Sequence, residues 1–200
     1  RCGAVPVLVA RLSFSGERAY EVYAPWTEGE AVWRRLLAAG EPFGMVAYGL
    51  EAMGALRIEK GHVAGPELDG RSTPADLGLG RMVSRRKSFV GSAMLDRPGL
   101  THERRLQLVG LIAFERRPIR AGAHLVESAD LAKPGRSLGH VTSWTWSPAL
   151  GRYAALGLLE GGLRHEGRRL WATCPLRREH VPVEVVHPCL YDREGSRLDG

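Results

Sequence analysis

Asparagine is absent from these 200 residues, glutamine occurs once, at Gln107, and lysine only at Lys60, Lys87 and Lys133. The basic charge is therefore almost all arginine, a bias that speaks of the genome before it speaks of a site. Three cysteines, Cys2, Cys174 and Cys189, form an odd set without CxxC spacing. That argues against a disulfide framework or a zinc site and fits a reducing, cytoplasmic setting. The seven histidines lack a spacing such as H-E-x-x-H, so no metal site is expected. There is no Gly-x-Gly-x-x-Gly fingerprint, so the chain is not expected to bind a dinucleotide itself. The longest apolar runs, such as Leu108 to Phe114, are too short to span a bilayer. No signal peptide is visible, and a start at Arg1 instead of methionine reads as processing, trimming or a fragment.

What is present is ordinary for a globular protein: 44% apolar and 25% charged residues, enough for one large domain or two small ones. A net charge of +6 and a pI near 9.6 permit an anionic partner, either nucleic acid or a polycarboxylate. The arginines, however, are mixed with acids, as in Glu103-Arg104-Arg105 and Arg178-Glu179-His180, which reads as a solvated basic surface. No aromatic run interleaved with basic residues resembles a platform for bases, so nucleic acid is an unfavoured partner.

The first half reads as α+β. Val5 to Phe14 and Ala19 to Ala24 are expected strands around a Ser15-Gly16 turn. A helix should follow, capped by Thr27 with Glu30 reaching back and stopped at Gly40. A second helix is expected from about Ala47 to Lys60, closed by Gly61, with Val46, Leu50 and Met53 as its buried stripe. Thr73-Pro74 looks like an N-cap and first helical position, with Asp76 in the first turn. Lys87 to Leu95 should hold a strand-to-helix transition. The composition shifts at Asp96 to Thr101, a plausible joint between a domain at 1–97 and one at 98–200. Beyond it, short strands are expected at 106–115, 124–127, 139–147, 153–160, 169–174 and 181–187, the pattern of a small antiparallel barrel or sandwich. In the third of these, Val141, Ser143 and Thr145 alternate with Thr142, Trp144 and Trp146.

Several motifs carry chemistry. Glu21 shares a strand face with Ala19 and Tyr23, and strand logic makes it a solvent-facing charge opposite an arginine. Glu17 is a turn charge, and Arg57 reads as a structural ion-pair partner. Gly135-Arg136-Ser137-Leu138-Gly139 has the spacing of a nucleophile elbow, but Pro134 precedes it and a strand follows it, so it reads as a hairpin turn. His62, His124 and His140 read as structural or exposed. Trp144, Trp146 and Trp171 read as barrel packing.

Four blocks occur in order: Ser13 to Val22, Arg57-Ile58-Glu59-Lys60-Gly61, Thr73 to Gly78, and Lys87-Ser88-Phe89-Val90-Gly91. Together they resemble the folate-binding aminomethyltransferase family, the glycine-cleavage T-proteins, over essentially the whole chain. They look most like its sarcosine oxidase branch, the C-terminal part of the alpha subunit of the heterotetramer. Glu51-Ala52-Met53 is the main discriminator, because many glycine-cleavage relatives carry an arginine at the position of Met53. The absence of a reactive cysteine near Lys87–Gly91 disfavours the iron–sulfur assembly branch.

The resemblance implies an α+β chain: half of a ferredoxin-like folate-binding domain followed by a small antiparallel β-barrel. It implies tetrahydrofolate binding with Glu21 on the pterin edge, whose N–H and amino group a carboxylate accepts in parallel. The implied enzyme converts the imine from sarcosine oxidation to 5,10-methylenetetrahydrofolate, with FAD, FMN and NAD in other parts of the parent assembly and other sarcosine oxidase subunits as partners. Catalytic residues are expected outside the chain, leaving the isolated chain inactive. A T-protein-like aminomethyltransferase is the alternative, and a basic nucleic-acid-binding module the second. The truncated sheet is expected to leave an edge open to pairing.

Overall fold

The computed structural model describes residues 1–128, 130 and 136–199. Its first sheet has two antiparallel strands, β1 (Leu8–Ala10) and β2 (Glu21–Tyr23), with Leu8 opposite Tyr23 and Ala10 opposite Glu21. Both strands are shorter than their apolar runs. Cys2 and Val5 bond each other across a turn at one end. At the other, the Ser13 hydroxyl donates to the Glu17 carbonyl and accepts from Gly16 N–H. These local bonds take over the backbone groups that a longer ladder would use.

Helix α1 (Gly29–Gly40) is entered through a 3₁₀ turn, Trp26–Glu28. Thr27 lies inside that turn, so the expected capping box does not form. Glu28 occupies the N-cap position without a side-chain bond, and Glu30 instead pairs with Arg34 one turn on at 2.9 Å. Helix α2 (Leu50–Lys60) starts later than expected because Gly49 is extended. Its buried side is Arg57, Ile58 and Glu59; Val46 and Leu50 are largely exposed, which reverses the expected stripe. Gly61 closes α2 at φ +76°, and a Cβ there would stand 2.5 Å from the Pro188 carbonyl oxygen. The close approach lets Leu190 and Tyr191 donate backbone bonds to the Glu59 carbonyl.

The Thr73-Pro74 segment makes one helical turn, with Leu77 N–H on the Thr73 carbonyl, and goes no further because Gly78 turns left-handed at φ +74°. Lys87 to Leu95 contains no strand, only a 3₁₀ turn at Ser92–Met94 after left-handed Gly91.

The second half is a closed antiparallel barrel in the order β3-β6-β5-β4-β7-β8. Its strands are β3 (Leu106–Ala113), β4 (His124–Val126), β5 (Gly139–Ser147), β6 (Arg152–Glu160), β7 (Arg169–Cys174) and β8 (Glu179–Val186). Closure leaves no open edge among the described strands of this half. Val109, Leu111, Leu125, Val141, Leu159, Leu170, Val183 and Val185 fill the interior. Fully burying each is worth about 1.5–3 kcal/mol, so most of the fold's apolar stabilisation sits here. On the outside, Leu108, Leu156 and Leu158 pack under Ile58 of α2 and Leu77. A bulge between Val141 and Ser143 shifts the β5 register. Trp144 and Trp146 therefore lie opposite Ala155 and Tyr153, Trp144 exposed and Trp146 half-buried, and the expected period-two faces do not persist through the strand.

No helix among the described residues is long and apolar enough to cross a membrane.

Candidate functional site

Glu21 begins β2 with an exposed side chain. Its cross-strand neighbour is Ala10, so the opposing arginine expected from strand logic is not there. The Tyr23 hydroxyl donates to the Glu21 carboxylate. That bond, with the negative charge it faces, holds the Tyr23 pKa above its ordinary value. No cation among the described residues forms an ion pair with Glu21.

The loop before β2 is anchored from behind. The Phe14 and His62 rings stack at 5.5 Å and 4°, and His62 Nδ1 lies 2.6 Å from the Phe14 carbonyl. Gly16, at φ +84°, leaves room for the Lys60 stem, into which a Cβ would run. Lys60 in turn donates to the Asp192 carbonyl at 2.6 Å. The Ser196 hydroxyl, then the backbone N–H groups of Arg197 and Ser196, outweigh desolvation and hold the Asp192 pKa at about 2. Glu17, expected as a turn charge, is 3.5 Å from Arg197. Two segments far apart in sequence thus hold the loop that leads into the strand carrying Glu21.

Arg57 is structural, as its residue type implied. It donates to Glu67 at 2.9 Å, to Ser143 at 2.6 Å and to the His62 carbonyl at 3.2 Å. Glu59 is buried and accepts from the Ser147 hydroxyl at the far end of β5. Asp76 accepts two bonds from Arg105 Nε at 3.0 Å and one from its Nη2 at 2.6 Å. Desolvation would raise the Asp76 pKa, but Arg105 and the Thr73 donors outweigh it, and the net direction is down. Asp76 thus keeps its expected place in the first turn, bonding Thr73 N–H at 2.8 Å while its own N–H bonds the Thr73 hydroxyl at 3.3 Å, and it also anchors the turn to the start of the barrel.

A cavity of about 920 Å³ opens between α2 and one end of the barrel. Gly49, Glu51, Ala52 and Ala55 form one wall; Trp144, Trp146 and Tyr153 form the other. The tryptophans pack, as expected, but Trp144 remains 36% exposed. Neither Glu67 nor this aromatic cluster was visible as a site. Glu67 sits in a loop with no periodicity, and the cluster is assembled by the bulge.

Gly135 lies outside the described residues. The Ser137 hydroxyl donates to the Gly139 carbonyl at 2.8 Å and lies 3.0 Å from His124 Nδ1, and β5 follows at once. That hydroxyl is engaged with backbone, as in a turn. The three cysteines are free, and no group of three or more metal-ligating side chains occurs among the described residues.

Residues 1–87 match the GCVT N-terminal domain, and residues 106–192 match the glycine cleavage T-protein C-terminal barrel domain. The chain is 40% identical over 198 residues to sarcosine oxidase subunit alpha of Rhizobium meliloti, covering 98% of this chain and 20% of that protein. It is 36% identical over 195 residues to the aminomethyltransferase of Streptomyces avermitilis, covering 95% of this chain and 50% of that one. The glycine cleavage system aminomethyltransferase T of Bartonella henselae superimposes with a TM-score of 0.76 at 24% identity, over 92% of this chain and 50% of that one. The chain thus spans half or less of these relatives. In sequence and in fold, it belongs to the glycine-cleavage T-protein (aminomethyltransferase) family.

Proposed function

We propose that this chain is the tetrahydrofolate-binding region of a sarcosine oxidase alpha subunit, serving the conversion of the sarcosine-derived imine to 5,10-methylenetetrahydrofolate. The observation that carries this is the state of Glu21: an exposed carboxylate at the head of a strand that follows a braced loop, with the Tyr23 hydroxyl as its one hydrogen-bond partner among the described residues. A carboxylate has about four acceptor positions, so parallel donors from a pterin edge fit beside one tyrosine. Bound there, tetrahydrofolate would supply the nitrogens that accept the one-carbon unit, and Glu21 would orient the pterin. The identity to sarcosine oxidase alpha subunits supports the substrate.

The exposed apolar residues of the first half, among them Leu8, Tyr20, Trp26 and Phe43, are the face against which the remainder of the folate domain packs, since uncovered patches of this kind mark contacts. The boundary falls at 97/98, before the Pro98–Thr101 turn. FAD, FMN and NAD belong to other parts of a cytoplasmic assembly, with other sarcosine oxidase subunits as partners. Catalytic residues lie outside the chain, and alone it is inactive. A lipoyl-linked aminomethyl donor is the second reading, favoured by the match to the T-protein domains.

The test is product analysis in the full-length enzyme. Glu21→Gln should leave sarcosine oxidation unchanged while free formaldehyde replaces methylenetetrahydrofolate. An unchanged product ratio contradicts the assignment.

A further inference from the structure

The cavity between α2 and the barrel end has a composition that the folate reading does not use. Three of its lining residues are aromatic, and Tyr153 meets both tryptophans at an angle. Trp146 and Tyr153 are 5.1 Å apart at 74°, and Trp144 and Tyr153 are 6.0 Å apart at 48°. Rings set at such angles make a concave corner of π faces, which carry the negative part of the ring quadrupole. The facing wall is small at Gly49, Ala52, Gly54 and Ala55, with Glu51, Arg57 and Ile58 beside them. Of the two lining residues that carry charge, Arg57 is committed to Glu67 and Ser143. Glu51, exposed in the first turn of α2, forms no ion pair among the described residues.

We propose that this cavity binds an alkylated ammonium group, with Trp144, Trp146 and Tyr153 as the aromatic cage and Glu51 as the counter-charge. A methylated ammonium is a weakly hydrated, diffuse cation with no strong donor to satisfy, so π faces and one nearby carboxylate suffice to hold it. The indoles already show this preference: Arg116 stands 5.0 Å from the Trp146 centroid and Arg120 stands 5.8 Å from that of Trp144. The volume of about 920 Å³ leaves room for a larger body behind the cationic head.

The experiment titrates the full-length protein with choline and with its uncharged isostere, 3,3-dimethyl-1-butanol, at constant ionic strength, followed by calorimetry. Choline should bind with a Kd of about 1 mM or tighter, and at least about tenfold better than the isostere. Trp144→Phe, which keeps an aromatic ring and the fold but weakens the π face, should lower choline affinity several-fold and leave the isostere unchanged. Glu51→Gln, on an exposed helix surface where folding is not at risk, should do the same. Equal binding of choline and isostere, no saturable choline binding, or indifference of choline affinity to both variants would each overturn the proposal.

Discussion

Arg57 and Glu67, on opposite sides of the turn that ends α2, meet at 2.9 Å with the glutamate completely buried. The Glu67 carboxylate also accepts from Ala64 N–H at 2.8 Å, Thr142 Oγ1 at 2.6 Å and Ser143 Oγ at 2.7 Å. Four donors saturate it, and two come from the bulged stretch of β5. The pair therefore ties the helical half to the barrel.

Removing one partner strands the other. Glu67→Ala should cost about 3–5 kcal/mol in urea unfolding, because Arg57 and two hydroxyls lose their acceptor in the interior. The double variant Arg57→Met/Glu67→Leu should be clearly less damaging than the sum of its single variants.

Two glycines of one helical segment should respond oppositely to alanine. A Cβ at Gly54 meets nothing within 4 Å, and Gly54→Ala inside α2 should stabilise by about 0.5–1 kcal/mol. Gly61→Ala is strained by its positive φ and meets the Pro188 carbonyl at 2.5 Å. It should destabilise by about 1–3 kcal/mol. Thermal unfolding of both variants checks the contrast.

Acid should loosen the same joints. Asp76 and Asp192 have folded pKa values below the unfolded carboxylate value, that of Asp192 at about 2. Their contribution is present above the unfolded value near 4 and is lost as pH falls through the folded values. Stability should therefore decline between about pH 4 and pH 2. Asp76→Asn should lower stability at pH 7 by about 1–3 kcal/mol and flatten the acid limb. A limb identical to wild type would remove Asp76 from this account.

Much of this was legible in the sequence. The six barrel strands emerge within about two residues of their apolar runs, because alternation and Gly/Pro turns are local signals. Arg57 as an ion-pair member was legible too, from the usual role of such charges, but its burial was not. The carboxylate itself was not, because Glu67 is chosen by where its loop lands. The bulge at Thr142 was equally hidden: it depends on pairing with β6, and it re-aims Trp144 and Trp146. In the first half, polar turn residues competed with the strands, and a 3₁₀ turn displaced Thr27 from its cap. For Glu21, strand face and exposure were readable, but the Tyr23 bond and the bracing by Lys60 and His62 are products of the tertiary fold.

Purified alone, the chain should carry no stoichiometric flavin or NAD and should not oxidise sarcosine. A flavin absorbance band that co-purifies at one equivalent would contradict this.

The most direct measurement is calorimetric titration of tetrahydrofolate into the full-length wild-type protein and its Glu21→Gln variant. Each charge-assisted bond from the pterin edge is worth about 1.5–3 kcal/mol. Glutamine replaces one acceptor oxygen with a donor that faces a pterin donor. The account predicts a Kd raised roughly ten- to a hundredfold, with stability changed by less than about 0.5 kcal/mol. Equal affinities would show that Glu21 is only a surface charge and that the pterin edge is held elsewhere.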